Sequence, residues 1–306
     1  MSPSSDPPRV ICVGIAVLDR IYHMRALPSG PGKRFATSCL EAGGGPAASA
    51  AVTVARLGGS VALWSRVGDD PAGRVILDGL VEEGVDVTCV RRCPGAHSVT
   101  ASVLVDDAGE RSIITHLDPA LPADPSWLPL AMLSKAGCVL SDCRWPEAAA
   151  TVLRTAAVAG IPSVLDADAV PDPARARILL ALATHVIFSA PGLAQATGVA
   201  TPEEGLRAAS AFAPGWLAVT LGAEGALSLE GQHARRWPAY PVAVVDTTGA
   251  GDVFHGAFAL ALAEQQPLAE AMRFAAAAAA LKCARPGGRA GIPARDHLVK
   301  LLREEN

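Results

Sequence analysis

Short β-branched or apolar runs alternate with segments of helical periodicity along most of the chain, and this alternation restricts the fold more than any other feature. A strand, a helix and a second strand of the same sheet pair in parallel through a right-handed crossover. Repeated units therefore build a mostly parallel sheet with helices on both faces. Strand-like runs stand at Arg9–Gly14, Val61–Ser65, Cys138–Leu140, Ser163–Leu165, Val186–Phe188, Trp216–Thr220 and Val242–Val245, and a hairpin at Ala226–Leu229 and His233–Trp237. Helical spacing marks Pro46–Leu57, Ala72–Glu83, Pro146–Ala159, Pro173–Ala183, Pro202–Ala213, Asp252–Ala263 and Leu268–Cys283. At 306 residues, half of them hydrophobic, the chain can bury one sizeable core, so residues 1–306 are read as one three-layer α/β/α domain.

Two stretches break the rhythm. Residues 15–40 hold alternating apolar residues punctuated by Pro28, Gly30, Pro31 and Gly32, and residues 97–116 read as two alternating strands around an Asp-Asp-Ala-Gly turn. Together they predict a small β-sheet outside the α/β core. Such a sheet can serve as a lid over a cleft, and its edge as the surface of a homodimer.

Lys plus Arg of 26 against Asp plus Glu of 30 argues against a nucleic-acid partner that needs a broad basic field. The seven cysteines lack metal-ligand spacing and suit free thiols in a reducing compartment. No leader pattern opens the sequence, and the apolar stretches Val253–Ala263 and Phe274–Ala280 are too short to span a bilayer. A cytoplasmic protein without a membrane partner is the expectation.

The sharpest chemical element is Asp246-Thr-Thr-Gly-Ala-Gly-Asp252, between a strand-like run and an apolar helix. Gly249, Ala250 and Gly251 let backbone N–H groups approach a phosphate at the positive end of that helix. Asp252, at the same mouth, can take the proton of a hydroxyl attacking phosphorus. The same residues also suit an ordinary glycine turn with an acidic helix cap. Glu41-Ala-Gly-Gly-Gly-Pro-Ala-Ala48, with Gly43 and Gly44, can press backbone against a small polar ligand or simply turn the chain. Thr220-Leu-Gly-Ala-Glu-Gly225 can carry a nucleotide or be a plain turn.

These three elements, in this order, resemble the ribokinase-like (PfkB) carbohydrate kinases over nearly the whole length. Val245-Asp-Thr-Thr-Gly-Ala-Gly-Asp-Val-Phe254 is similar to that family's C-terminal motif, and Gly43–Gly58 with Arg66-Val-Gly-Asp-Asp70 to its N-terminal motif. The resemblance implies an ATP-dependent sugar kinase with Asp252 as catalytic base and Gly249, Ala250 and Gly251 as anion hole. It implies that Asp19 grips substrate hydroxyls and that Thr220, Gly222 and Gly225, with Ser189, border ATP. Ala276, Ala279, Ala280 and Cys283 match an adenine wall, though a plain core helix suits them equally. Mg²⁺ would arrive with ATP, and K⁺ would bind beside the anion hole through Asp246, Thr248 and the segment near Gly287 and Gly291.

One departure concerns magnesium. Where the family has Asn-x-x-Glu, this chain has Ser189-Ala-Pro-Gly192, so Asp166 and Asp168 become substitute candidates. Within the family, Asp142-Cys-Arg-Trp145, Phe188-Ser-Ala-Pro-Gly-Leu-Ala194 and Ala280–Pro293 look closest to ketohexokinase-like members, bacterial sulfofructose kinases in particular. That implies phosphorylation of 6-deoxy-6-sulfofructose at its 1-hydroxyl, with Arg144 and Lys33 facing the sulfonate. Thr115 stands where an Asn is expected in that group. A kinase for fructose, ribose or a nucleoside, and an idle sensor on the kinase fold, are the alternatives. An NAD enzyme is excluded, since no Gly-x-Gly-x-x-Gly follows the first strand.

Overall fold

The computed structural model describes residues 9–168 and 172–304. The first eight residues, which bear on the absence of a leader pattern, lie outside it. The chain runs β1 (Arg9–Val13), β2 (Val17–His23), β3 (Ser38–Gly44), α1 (Pro46–Arg56), β4 (Ser60–Gly68), α2 (Pro71–Glu82), β5 (Val90–Cys93), β6 (Thr100–Val105) and β7 (Arg111–His116). It continues with β8 (Cys138–Asp142), α3 (Pro146–Val158), β9 (Ser163–Ala167), α4 (Pro173–Leu180), β10 (His185–Ser189), α5 (Ala190–Thr197), α6 (Pro202–Ala209) and β11 (Trp216–Thr220). The hairpin β12 (Ala226–Glu230) and β13 (His233–Trp237) precedes α7 (Ala250–Ala263), α8 (Leu268–Cys283) and α9 (Arg295–Glu304).

Among the described residues, nine strands form the main sheet in the order β13-β12-β11-β10-β9-β8-β1-β4-β5. From β11 to β5 neighbours are parallel, while β12 and β13 add antiparallel strands at one edge. The progression from β1 goes first to β4 on one side and later to β8 on the other. The crevice at the carboxyl ends of β1 and β8 is thus a switch point, where α/β sheets place ligands.

Helices α1, α2, α7 and α8 cover one face through a core containing Val10, Leu63, Phe258 and Met272. The other face is filled around Phe188, Leu193 and Leu206, and around Trp64, Trp145 and Val152. Small side chains bring α7 against α1. A Cβ on Gly256 of α7 would lie 2.6 Å from the Ala50 carbonyl oxygen of α1.

The two irregular stretches build a separate four-stranded sheet, β3-β2-β6-β7. Asp106 shapes the β6–β7 turn, its Oδ1 accepting from the N–H groups of Ala108 and Glu110. The small sheet's own core is Val17, Ile21, Val99, Ala101 and Val103.

The expected strand at Val242–Val245 does not form. β13 already ends the sheet on that side, and the N–H groups of Val245 and Asp246 donate to the Cys283 carbonyl at the end of α8 instead. β5, α5 and α9 form where no element is predicted: β5 is only four residues long, and α5 begins inside the Ser-Ala-Pro-Gly departure. No described helix is long and apolar enough to cross a membrane, and all seven cysteines are free thiols.

Candidate active site

Asp142 organises the switch point. It is buried at the end of β8, and its Oδ2 accepts from Ile15 N–H at 2.9 Å and Ala47 N–H at 3.2 Å, while Oδ1 accepts from Arg144 N–H at 2.8 Å. One carboxylate thus fastens the loop after β1, the start of α1 and the loop after β8. Hydrogen bonds to a charged group contribute about 1.5–3 kcal/mol each, and here they offset a burial that pushes the Asp142 carboxyl upward.

Above this junction lies a cavity lined by Asp19, Gly43, Gly44, Thr248, Asp252 and Arg289. β2 supplies Asp19, and the end of β3 brings Gly43 and Gly44 beside it. A Cβ at Gly44 would lie 2.1 Å from an Asp19 carboxylate oxygen and one at Gly43 2.1 Å from an Arg289 guanidinium nitrogen, so a side chain at either position would displace these groups. Arg289 donates to Ser49 Oγ at 3.1 Å and to the Gly44 carbonyl. Burial pulls its pKa down to about 10, against the pull of Asp252 and Asp19. It therefore stays charged. Burial also raises Asp19, with Arg289 opposing.

Asp252 enters the cavity from the first turn of α7. Gly249 precedes that helix with φ of 75°, the left-handed conformation that glycine adopts without strain. Ala250 N–H turns back to Thr247 O at 3.2 Å, so the following first-turn amides, of Gly251 and Asp252, are the ones left without an intrahelical acceptor. Burial and the nearby Asp166 charge push Asp252 up to about 7, while His255 and Arg289 pull it down. A carboxyl poised there can accept a proton near neutral pH.

Behind Asp252, His255 Nδ1 lies 3.5 Å from Asp166 Oδ2, and its Nε2 lies 3.3 Å from the Ile187 carbonyl. Burial lowers His255, and burial with the Asp168 charge raises Asp166 to about 8.

The carboxyl ends of β9, β10 and β11 align Asp168, Ser189 and Thr220. Ser189 pairs in register with Thr220, donates to Asp168 Oδ1 at 2.7 Å and caps α5 by accepting from Gly192 N–H at 3.0 Å. Thr220 donates to the Phe188 carbonyl at 3.3 Å. Gly222 is exposed after β11, and Gly225 turns the chain into β12. Ala276, Ala279 and Cys283 lie half-buried on α8.

Asp246 is bonded to Thr248 N–H at 2.8 Å. Burial would raise it, but the N–H groups of Gly288 and Thr248 and the Lys282 ammonium hold it far below the usual carboxylate range. On the small sheet, Asp19, Ala101 and Thr115 form one cross-strand row, so their side chains share a face. Arg144, Lys33 and Thr115 do not line the cavity. Arg144 pairs with Asp168 at 3.0 Å, and the exposed Lys33 lies over the Phe35 ring.

Sequence reasoning missed Arg289, Arg111, Lys282, Asp142 and His255 as site residues, and named Asp166 only as a magnesium candidate, not as the partner of His255. For Arg289 and Lys282 a signal existed in the unusual Ala280–Pro293 segment, although nothing in it tells which residue turns inward.

A model of pfkB family carbohydrate kinases matches residues 7–295. The chain belongs to this family. Ribokinase of Bacillus subtilis (strain 168) is 32% identical over 298 residues, covering 96% of this chain and 99% of the relative. Fructokinase of Klebsiella pneumoniae is 31% identical, covering 96% and 99%. The structure of Arabidopsis thaliana ribokinase complexed with ribose and ATP superposes with a TM-score of 0.86 at 29% identity, covering 97% of this chain and 99% of that one. The chain is accordingly an ATP-dependent carbohydrate kinase with the ribokinase fold.

Magnesium fits this site in a restricted way. Both oxygens of Asp168 are engaged, by Ser189 and Arg144, and no group of three or more His, Cys, Asp or Glu converges among the described residues. A magnesium ion carried by ATP would therefore be held mainly by phosphate oxygens and water, with Asp168 the carboxylate beside Ser189.

Proposed function

We propose that this kinase transfers the γ-phosphoryl group of ATP to the 1-hydroxyl of 6-deoxy-6-sulfofructose or a closely related ketose. The observation that carries the chemistry is that Asp19 and Asp252 line one cavity at the mouth of α7. Asp19 accepts two sugar hydroxyls. Asp252 takes the proton of a third as its oxygen bonds to phosphorus and the bond to the β,γ-bridging oxygen breaks, releasing ADP. The amides at the start of α7 and the Arg289 guanidinium stabilise charge on the transferring group. Magnesium, when bound with the nucleotide, would supply neutralisation of phosphate charge.

Support for the sulfonate comes from the resemblance to sulfofructose kinases and from Thr115 on the face that carries Asp19. Arg144, outside the cavity lining and paired with Asp168, would have to turn toward the sugar, and closure of the small sheet would have to bring Lys33 there. A neutral acceptor, fructose or ribose, is the second reading. It is favoured by the Arg144–Asp168 pair and by a cavity that sets two carboxylates against one guanidinium.

An ADP-release assay over sulfofructose, fructose, ribose and nucleosides, with Asp252→Asn as control, decides between them. Selective turnover of sulfofructose, with Arg144→Ala raising its KM far more than that of fructose, supports the first reading. Turnover of a neutral sugar alone overturns the sulfonate and keeps the kinase. Silence across the panel removes both acceptors.

A further inference from the structure

Lys282, on α8, is fully buried. Its ammonium lies 2.8 Å from the Asp246 carbonyl, 3.0 Å from Asp246 Oδ2 and 3.5 Å from the Arg285 carbonyl. Three acceptors match the three protons of an ammonium. Asp246 Oδ2 also accepts from Gly287 N–H at 3.1 Å and Gly288 N–H at 3.0 Å, and Oδ1 accepts from Thr248 N–H at 2.8 Å.

A carboxylate oxygen converging with backbone carbonyls beside an anion hole is the donor set expected for K⁺. The residues present do not fit that ion. The positive charge is already there, carried on the chain itself, and the Asp246 oxygen that would face K⁺ has three donors. An ammonium and a potassium ion are close in size, so each can stand in for the other among hard oxygen donors.

We propose that Lys282 is the resident monovalent cation of this turn, and that the kinase works without K⁺. The ammonium ties Asp246, at the start of the turn leading to Gly249, to the segment that carries Arg289 into the sugar cavity. It also neutralises Asp246, whose bare charge would otherwise oppose the negative charge gathering on the transferring phosphoryl group. A half-buried carboxylate left without its cation is unfavourable, the more so as the ammonium that partners it is fully buried. Lys282 touches no substrate in this arrangement and acts as a positioning residue.

The inference rests on the kinase reading of the turn, but one arm of its test needs no sugar. Thermal unfolding is followed in tetramethylammonium chloride and then in KCl or NH₄Cl at equal ionic strength. Wild type is expected to melt at the same temperature in all three. Lys282→Ala, which leaves a cation-sized space, is expected to melt lower and to be raised saturably by NH₄⁺ or K⁺. Lys282→Met, which fills the space without charge, is expected to show no such response.

In the activity arm, wild-type turnover is unchanged by K⁺. Lys282→Ala falls by about tenfold or more in tetramethylammonium and recovers with NH₄⁺ or K⁺. The proposal is overturned if K⁺ stimulates the wild type, if Lys282→Ala keeps full activity without K⁺, or if it folds and responds to neither ion. Should Lys282→Ala fail to fold, K⁺ titration of the wild type decides alone. Absence of any sugar kinase activity in the wild type would sink the kinase reading and leave the thermal arm standing.

Discussion

The Arg111 guanidinium, at the start of β7, donates to Thr248 Oγ1 at 2.7 Å and to Thr247 Oγ1 at 2.9 Å. The small sheet is thereby tied to the turn that opens α7, across the mouth of the cavity. Arg111→Ala is expected to lower kcat/KM about tenfold to a hundredfold, the range set by hydrogen bonds from a charged donor. Because closure excludes water, ATP hydrolysis without sugar should rise relative to transfer. Steady-state kinetics with both readouts check this, and unchanged coupling would remove Arg111 from closure.

Asp252 must be ionised to accept a proton, and its pKa lies at about 7. The wild-type kcat/KM is expected to rise with pH through that region and level off above it, and Asp252→Asn to lose turnover while still binding ATP. The stability effect runs the other way. The folded carboxyl binds protons more tightly than the unfolded one at 3.8, so its contribution is full below pH 4 and is lost as pH rises toward 7. Asp252→Asn should therefore melt higher than wild type at pH 8. The two should converge near pH 4, as calorimetry would show.

Arg289 lies between Asp19 and Asp252, and removing its charge should disturb both. Arg289→Gln is expected to raise the sugar KM by about tenfold or more, with little change in the KM for ATP. It should also shift the rising limb of the pH profile upward, because the guanidinium lowers Asp252. A profile that does not move would limit Arg289 to sugar contact.

Ile114 and Phe35 are 67% and 80% exposed on or beside the small sheet. An apolar surface of this kind suits a second copy of the chain. Light scattering after gel filtration is expected to give a homodimer, and Ile114→Lys, at an exposed position, to give a folded monomer. A wild-type monomer would refute this.

Much of the fold is legible because parallel units repeat one pattern. Val186–Phe188 and Trp216–Thr220 carry their own strand signal, and the Asp246–Asp252 motif marks the helix mouth without any tertiary information. The Val242–Val245 run misleads because β-branched composition cannot tell whether a sheet edge is free. Lys282 and Arg289 are opaque for a related reason: a basic residue late in a chain looks solvated until α8 and the loop after it fold against Asp246 and Asp19. Asp142 is similarly silent, since its three amide donors come from positions 15, 47 and 144.

The contact of Gly256 with Ala50 sits one helical turn below the chemistry. α1 starts at the loop that lines the proposed sugar cavity, and α7 starts at the proposed base. The gap between the proposed acceptor site and base is therefore gauged by how closely the bare backbone of Gly256 can approach Ala50 and the Thr53 side chain of α1. A larger residue at position 256 would wedge the two helix mouths apart, so catalytic alignment here depends on the absence of a methyl group.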